Sequence, residues 1–224
     1  MSCLILPRSS IAIPRGFAEI DWSNPITQDL EGWALPTYSP NQVETKYGKA
    51  ASLGTGLLSV EASDRMRYGT VCAGLVRLPG APTVDNQTYF SFNSSPATWY
   101  SDVEYLMATA YQTSGSRKFY FLHDRGSQQA NGSLPPIDSY THVAFRFDTT
   151  ISGAWSNFYY SGVHNASLTP NGPFPWNTGV RRQLGAGNVS LGIYATYAYA
   201  FSRQLLLDEL RSISQNPWQI FKGK

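Results

Sequence analysis

The chain is expected to fold as an all-β sandwich of jelly-roll type, closed by one short C-terminal helix. Three observations predict it. Short runs rich in Val, Phe, Tyr, Trp and Thr recur between Gly, Pro, Asn and Ser turn signals. Only the stretch from Phe201 to Phe221 breaks that rhythm with helical spacing, and Asn216-Pro217 stops it, because proline lacks a backbone N–H and restricts the residue before it. No internal repeat or composition break divides the 224 residues, a length that all-β domains commonly reach undivided.

Residues 1–16 read as an extended arm. Pro7 and Pro14 interrupt it and no periodicity is sustained. Such an arm is suited to lie along a neighbouring copy of the chain, so a homo-oligomer is expected. Residues 17–224 are expected to form the single sandwich domain. Phe17-Ala-Glu-Ile-Asp-Trp22 alternates and ends at Asn24-Pro25, and Glu31-Gly-Trp-Ala-Leu35 is cut off by Pro36. The run from Gly48 to Leu53 leads to a Gly54-Thr-Gly56 turn, and a longer strand from Arg67 to Leu78 stops at Pro79-Gly80. Strands follow from Gln87 to Phe92, from Glu104 to Tyr111 and, after Ser114-Gly-Ser116, from Lys118 to His123. Between Thr141 and Asp148, side-chain alternation puts Val143, Phe145 and Phe147 on one face. The run from Trp155 to Tyr160 turns at Ser161-Gly162. After Arg181 to Gly185 comes a long run from Val189 to Phe201, in which Leu191, Ile193, Ala195, Tyr197, Tyr199 and Phe201 are expected to share an inner-sheet face. The helix then presents Leu205, Leu206, Leu210 and Ile213 to the core at helical offsets.

Composition narrows the function. Apolar residues make up 42% and aromatics 14%, enough to fill a core, while charged residues are only 14% against roughly 25% in an average globular protein. The net charge is +2 with no basic block, which argues against nucleic acid as a partner because phosphate binding needs clustered positive charge. No apolar run approaches the ~18 residues of a spanning helix, so no membrane insertion is expected. Pro7, Arg8, Pro14 and Arg15 interrupt the first residues, unlike a secretory leader. Cys3 and Cys72 read as a loose thiol and a small buried hydrophobe. Low charge with abundant Tyr, Trp, Ser and Asn describes an extracellular recognition surface, whereas the missing disulfide framework describes folding in a reducing cytoplasm. Particle components of bacterial viruses satisfy both conditions.

A family resemblance points the same way. Tyr140-Thr-His-Val-Ala-Phe-Arg-Phe-Asp148 and Asn157-Phe-Tyr-Tyr-Ser-Gly-Val163 resemble the paired strands of laminin-G-like, concanavalin-A-like jelly rolls, with Ser161 where Asn is usual. The stretch from Gly187 to Glu209 resembles the closing strand and helix of that fold, whose pattern is Arg-x-Leu-Ser-x-x-Glu-Ile. Arg203, Leu205 and Glu209 match, while Leu206 replaces the serine that would cap the helix; an earlier start capped by Ser202 is expected. Ile20-Asp-Trp-Ser-Asn-Pro-Ile-Thr27 and Asn216-Pro-Trp-Gln-Ile-Phe221 resemble the two ends of laminin-G-like proteins encoded by tailed bacteriophages and prophages. The resemblance spans residues 16–221 and implies a virion component made in the host cytoplasm. Such a component would be a head decoration, head fibre or tail-associated subunit, partnered by other capsid or tail proteins. It carries no catalytic motif, so no enzyme is expected.

Related jelly rolls include glucanases with Glu-x-Asp-x-x-Glu on one strand, where alternation aligns the carboxylates. Here Glu19-Ile-Asp21-Trp-Ser-Asn24 lacks the third carboxylate and lies far from a central strand. His123, His142 and His164 form no close-spaced ligand pair, and no Gly-x-Ser-x-Gly elbow or phosphate loop occurs. Calcium needs several oxygen ligands at one place; Asp85, Asn86, Asp102, Asp124 and Asp148 are scattered single candidates, so no cofactor is assigned. Carbohydrate is the favoured ligand, a host-surface glycan in particular. Trp99-Tyr100 and Trp176-Asn177 sit in loop-like segments rich in Pro, Ser, Thr, Gly or Asn, where large aromatics are recognition candidates. The rival expectations are a polysaccharide-acting enzyme and a free lectin.

Overall fold

A computed structural model describes residues 18–35, 42–45, 48–51, 58–61, 64–77, 87–93, 106–113, 116–123, 128–132, 139–148, 155–168, 181–185 and 193–223. The arm at residues 1–16 and Cys3 lie outside them. The strands are β1 (Ala18–Ile20), β2 (Leu30–Ala34), β3 (Gln42–Thr45), β4 (Gly48–Ala51), β5 (Leu58–Glu61), β6 (Tyr68–Arg77), β7 (Gln87–Asn93) and β8 (Leu106–Thr113). They continue as β9 (Ser116–His123), β10 (Gln128–Gly132), β11 (Ser139–Asp148), β12 (Trp155–Tyr160), β13 (Val163–Leu168), β14 (Arg181–Gly185), β15 (Ile193–Phe201) and β16 (Phe221–Gly223). One α-helix, α1 (Leu207–Gln215), occurs among the described residues. The strands β3, β5, β10, β13 and β16 were not singled out by periodicity, since each is short and rich in polar or small residues.

Two sheets carry the fold. One has the order β10-β9-β8-β7-β14-β5; the other runs β13-β12-β11-β6-β15-β4-β3, with β2 also paired to β15. The centre of the second sheet is β11-β6-β15, in antiparallel register that sets Phe145 opposite Val71 and Ala200 opposite Val71 on the other side. One face of this sheet bears Val71, Ala73, Leu75, Val143, Phe145, Phe147, Phe158, Ala198 and Ala200, all buried. Val143, Phe145 and Phe147 share that face, as alternation requires. The opposite face is covered by α1 together with Ile20, Leu30, Trp218 and Ile220, and the two sheets meet where β2 approaches β5 and β10 approaches β13.

The helix-covered face holds an apolar cluster of Ile20, Leu30, Cys72, Ala144, Tyr159, Tyr197, Tyr199, Phe201, Leu205, Leu210, Ile213, Trp218 and Ile220. Here one expectation is corrected. Leu191 and the side chain of Ile193 lie outside the described residues, and Ala195 does not share a face with Tyr197, Tyr199 and Phe201, because a β-bulge between Ala195 and Tyr197 inserts Thr196. An extra residue inverts the alternation, so Tyr197, Tyr199 and Phe201 turn towards the helix while Ala198 and Ala200 face the other sheet. Gly74 lies under this aromatic row. A Cβ there would come within 2.5 Å of both Thr196 Oγ1 and Tyr197 Cε1, and 2.8 Å of Tyr140 Cε2.

The helix is also shifted from its expected start. It begins at Leu207, with Leu206 at the N-cap position, and Leu206 is 66% exposed rather than in the core. A leucine side chain cannot accept a hydrogen bond, so only one arm of a capping box forms: the Leu206 backbone N–H donates to Glu209 Oε2 at 2.6 Å. Ser202 caps nothing; its hydroxyl donates to Glu31 Oε1 at 2.6 Å. Leu205, Leu210 and Ile213 are fully buried, each such side chain contributing roughly 1.5–3 kcal/mol. Proline at the start of the 3-10 turn Pro217–Ile220 follows the helix, as expected.

Candidate functional site

The two segments that resemble phage laminin-G-like ends meet in space. β1 pairs with β16 in a separate two-stranded ribbon, Ala18 opposite Gly223 and Ile20 opposite Phe221. The Asp21 N–H donates to Ile220 O at 2.8 Å, and Asn24 Nδ2 donates to Gln219 O at 2.9 Å. Asn24 also caps the 3-10 turn Pro25–Thr27: its Oδ1 accepts from Ile26 N at 3.0 Å, with Pro25 preset for the first position. The Thr27 hydroxyl donates to Asp21 O at 2.9 Å. From below, Arg203 donates to Gln28 O at 3.0 Å, Pro25 O at 3.3 Å and Ile26 O at 3.4 Å. Each turn residue therefore has a structural reason, except Trp22.

Trp22 stands at the tip of this braced turn, 62% exposed, and Trp33 on β2 is 39% exposed. Their ring centroids are 6.4 Å apart at 74°, an edge-to-face corner. Beside Trp22, Asp21 Oδ1 accepts from the Ser23 hydroxyl at 2.6 Å and the Ser23 N–H at 3.1 Å. These two donors hold the Asp21 carboxyl below its usual range. On the other flank Arg65 reaches Asp29 at 2.6 Å and Glu31 at 3.4 Å. Rigid exposed indoles framed by fixed polar groups can stack a flat apolar ligand face and bond its rim. Sequence reading placed both tryptophans on strands without singling them out. The available signal was a bulky aromatic directly before a Ser-Asn-Pro turn.

The predicted carbohydrate contacts Trp99, Tyr100, Trp176 and Asn177 lie outside the described residues, as do Asp85, Asn86, Asp102 and Asp124. Asp148 is buried at the end of β11. Among the described residues no group of three or more His, Cys, Asp or Glu is placed to hold a metal ion. Glu19 and Asp21 are not on a central strand: Glu19 pairs with Lys222 at 3.6 Å on the terminal ribbon, and Asp21 lies in the turn. No helix among the described residues is long and apolar enough to cross a membrane.

Two other polar clusters serve packing. Tyr140 donates to Tyr197 at 3.2 Å, and Tyr197 meets His142 Nδ1 at 2.5 Å. This direction puts the imidazole proton on Nε2, which is buried without a hydrogen-bond partner among the described residues. Burial holds His142 neutral, its pKa lowered to about 3. Cys72, on the neighbouring strand β6 and the same face, is fully buried, which pushes its thiol far up. At the opposite edge His164 Nε2 lies 2.8 Å from Ser167 Oγ, which donates to Asn157 Oδ1 at 2.6 Å. A bulge between Phe158 and Tyr159 brings His164 and Ser167 to one exposed face.

No family model and no curated protein matches the chain. Solved structures do match. Domain 4 of AbnA, a GH43 extracellular arabinanase from Geobacillus stearothermophilus in complex with arabinotriose, is 15% identical at TM-score 0.49, over 84% of this chain and 94% of that one. Trypanosoma rangeli sialidase in complex with sialic acid is 12% identical at TM-score 0.56, over 87% of this chain and 34% of that one. The binding domain of Paraclostridial Mosquitocidal Protein 1 is 9% identical at TM-score 0.52, over 84% and 52%. The chain thus spans about a third of the sialidase and half of the binding domain. For the sialidase and the binding domain, likeness at such identity is likeness of fold, and together with the sheet order it makes this chain an all-β sandwich of jelly-roll type with one short C-terminal helix.

Proposed function

We propose that the chain is a non-enzymatic, carbohydrate-binding sandwich of a bacteriophage particle, assembled in the host cytoplasm onto capsid or tail proteins. The observation that carries the binding half is the exposed Trp22–Trp33 corner. A large aromatic pair left in solvent by an otherwise fully braced turn costs hydrophobic free energy unless something covers it. Sugars offer the matching surface, with apolar C–H faces and a rim of hydroxyls. The fold is compatible, since one similar structure is a sialidase in complex with sialic acid. The particle half is supported by the interlocked ends, Ile20 to Thr27 and Asn216 to Phe221, which resemble those of phage laminin-G-like proteins. The arm at residues 1–16 serves attachment to the particle or to a second copy.

Immunogold labelling of purified particles, with antibody to this chain, tests the particle half. Label over the capsid or at the tail is expected, and its position separates decoration from receptor contact. Bare particles with an accessible epitope would overturn it. Retention of the purified chain on a glycan array is expected, and uniform failure to bind any glycan would overturn the binding half.

A further inference from the structure

We infer that the Trp22–Trp33 corner takes a neutral pyranose and discriminates against acidic sugars such as sialic acid. The inference rests on the carbohydrate-binding reading and deepens it. Its ground is the charge around the two rings. Asp21 adjoins Trp22, and Glu31 lies two residues before Trp33, roughly 7 Å along a strand. Asp29, just before β2, and Glu19, on β1, belong to the same two segments as the tryptophans. Four carboxylates stand against two cations there, and both cations are engaged: Arg65 by Asp29 and Glu31, Lys222 by Glu19. Arg203, the next guanidinium, is consumed by Glu209 and three backbone carbonyls.

A sugar carboxylate would thus meet like charge, and the cations that reach these segments, Arg65 and Lys222, already face carboxylates. A neutral sugar meets the opposite situation. Its hydroxyls donate to Asp21, whose carboxylate is ionised and fixed by Ser23, and hydrogen bonds to an ionised acceptor are about twice as strong as neutral ones. The 74° angle between the indoles gives the ring one flat face to stack on and one wall to abut, which suits a terminal residue of a glycan better than the middle of a chain.

The test is binding of the full chain to immobilised neutral-terminated and sialic-acid-terminated versions of the same oligosaccharide, with variants W22A, W33A, W22F and D21N. Thermal melting confirms that each folds. The neutral glycan is expected to bind at least tenfold more tightly than the sialylated one. W22A and W33A should each weaken binding tenfold or more, W22F should keep part of it, and D21N should weaken it threefold or more. Equal or tighter binding of the sialylated form would overturn the inference about charge. Neutral-glycan binding unchanged in W22A and W33A would overturn the site and leave the carbohydrate-binding reading standing. Loss of every glycan by the wild-type chain would overturn both.

Discussion

Arg203 grips Glu209 with both terminal guanidinium nitrogens, Nη1 at 2.8 Å from Oε2 and Nη2 at 2.7 Å from Oε1. The same guanidinium donates to three carbonyls of the turn below Trp22, and the same carboxylate receives the N–H of Leu206, the N-cap of α1. One ion pair therefore joins the last helix to the first turn, across almost the whole chain. Burial pushes the Glu209 carboxyl up, but the Arg203 and Leu206 donors outweigh it and hold it below its ordinary value.

Replacing Arg203 with lysine keeps the charge and removes the fork. Both side chains are only about one-fifth exposed, so Arg203→Lys should lower unfolding stability by about 2 kcal/mol, read by urea denaturation. Glu209→Gln should cost less, because its amide oxygen still accepts from Leu206. Wild-type stability in Arg203→Lys would mean that the fork does not brace the turn.

His142 predicts an acid limb. Its folded-state pKa is lowered from 6.5 to about 3 by burial, so the folded chain keeps it neutral while the unfolded chain takes up a proton. Its contribution is complete above about pH 6.5 and is lost as pH falls towards 3. Stability at pH 5 should be about 2 kcal/mol below that at pH 7.5. His142→Gln should flatten the profile between pH 5 and 6.5, a window above the range in which Glu209 titrates. An unchanged slope in that variant would assign the limb elsewhere.

The β12–β13 hairpin carries positive φ at both central residues, Ser161 at 49° and Gly162 at 72°. That geometry favours Asn-Gly. Ser161→Asn should raise stability by about 0.5 kcal/mol. Gly162→Ala should lower it by about 1 kcal/mol or more, because a Cβ there would also lie 2.8 Å from Arg211 Cγ. Thermal melting of the pair checks both signs.

These sites separate what was legible in the sequence from what was not. Long strands with strict alternation, such as β11, could be read residue by residue, because period two has one meaning on a buried sheet. The faces of β15 could not, since a single bulge at Thr196 inverts them and leaves no mark in composition. Arg203 and Glu209 could be matched to a pattern, yet the other partners of Arg203 are carbonyls 175 to 178 residues away in sequence, which no local rule supplies. Trp22 and Trp33 looked like ordinary strand aromatics; exposure is a property of what fails to pack over a side chain, and only three dimensions reveal it.

The ribbon of β1 and β16 also has a mechanical meaning. Its strands run antiparallel with Ala18 opposite Gly223, so a pull that draws those two ends apart loads one rung at a time, as in opening a zip, rather than shearing all rungs together. The ribbon is the weak link under such tension. It would part before the link from Asp21 to Ile220 and that from Asn24 to Gln219, which lie deeper along the same seam. Tension across the ribbon would thus part its rungs while the tryptophan turn stayed pinned through Arg203.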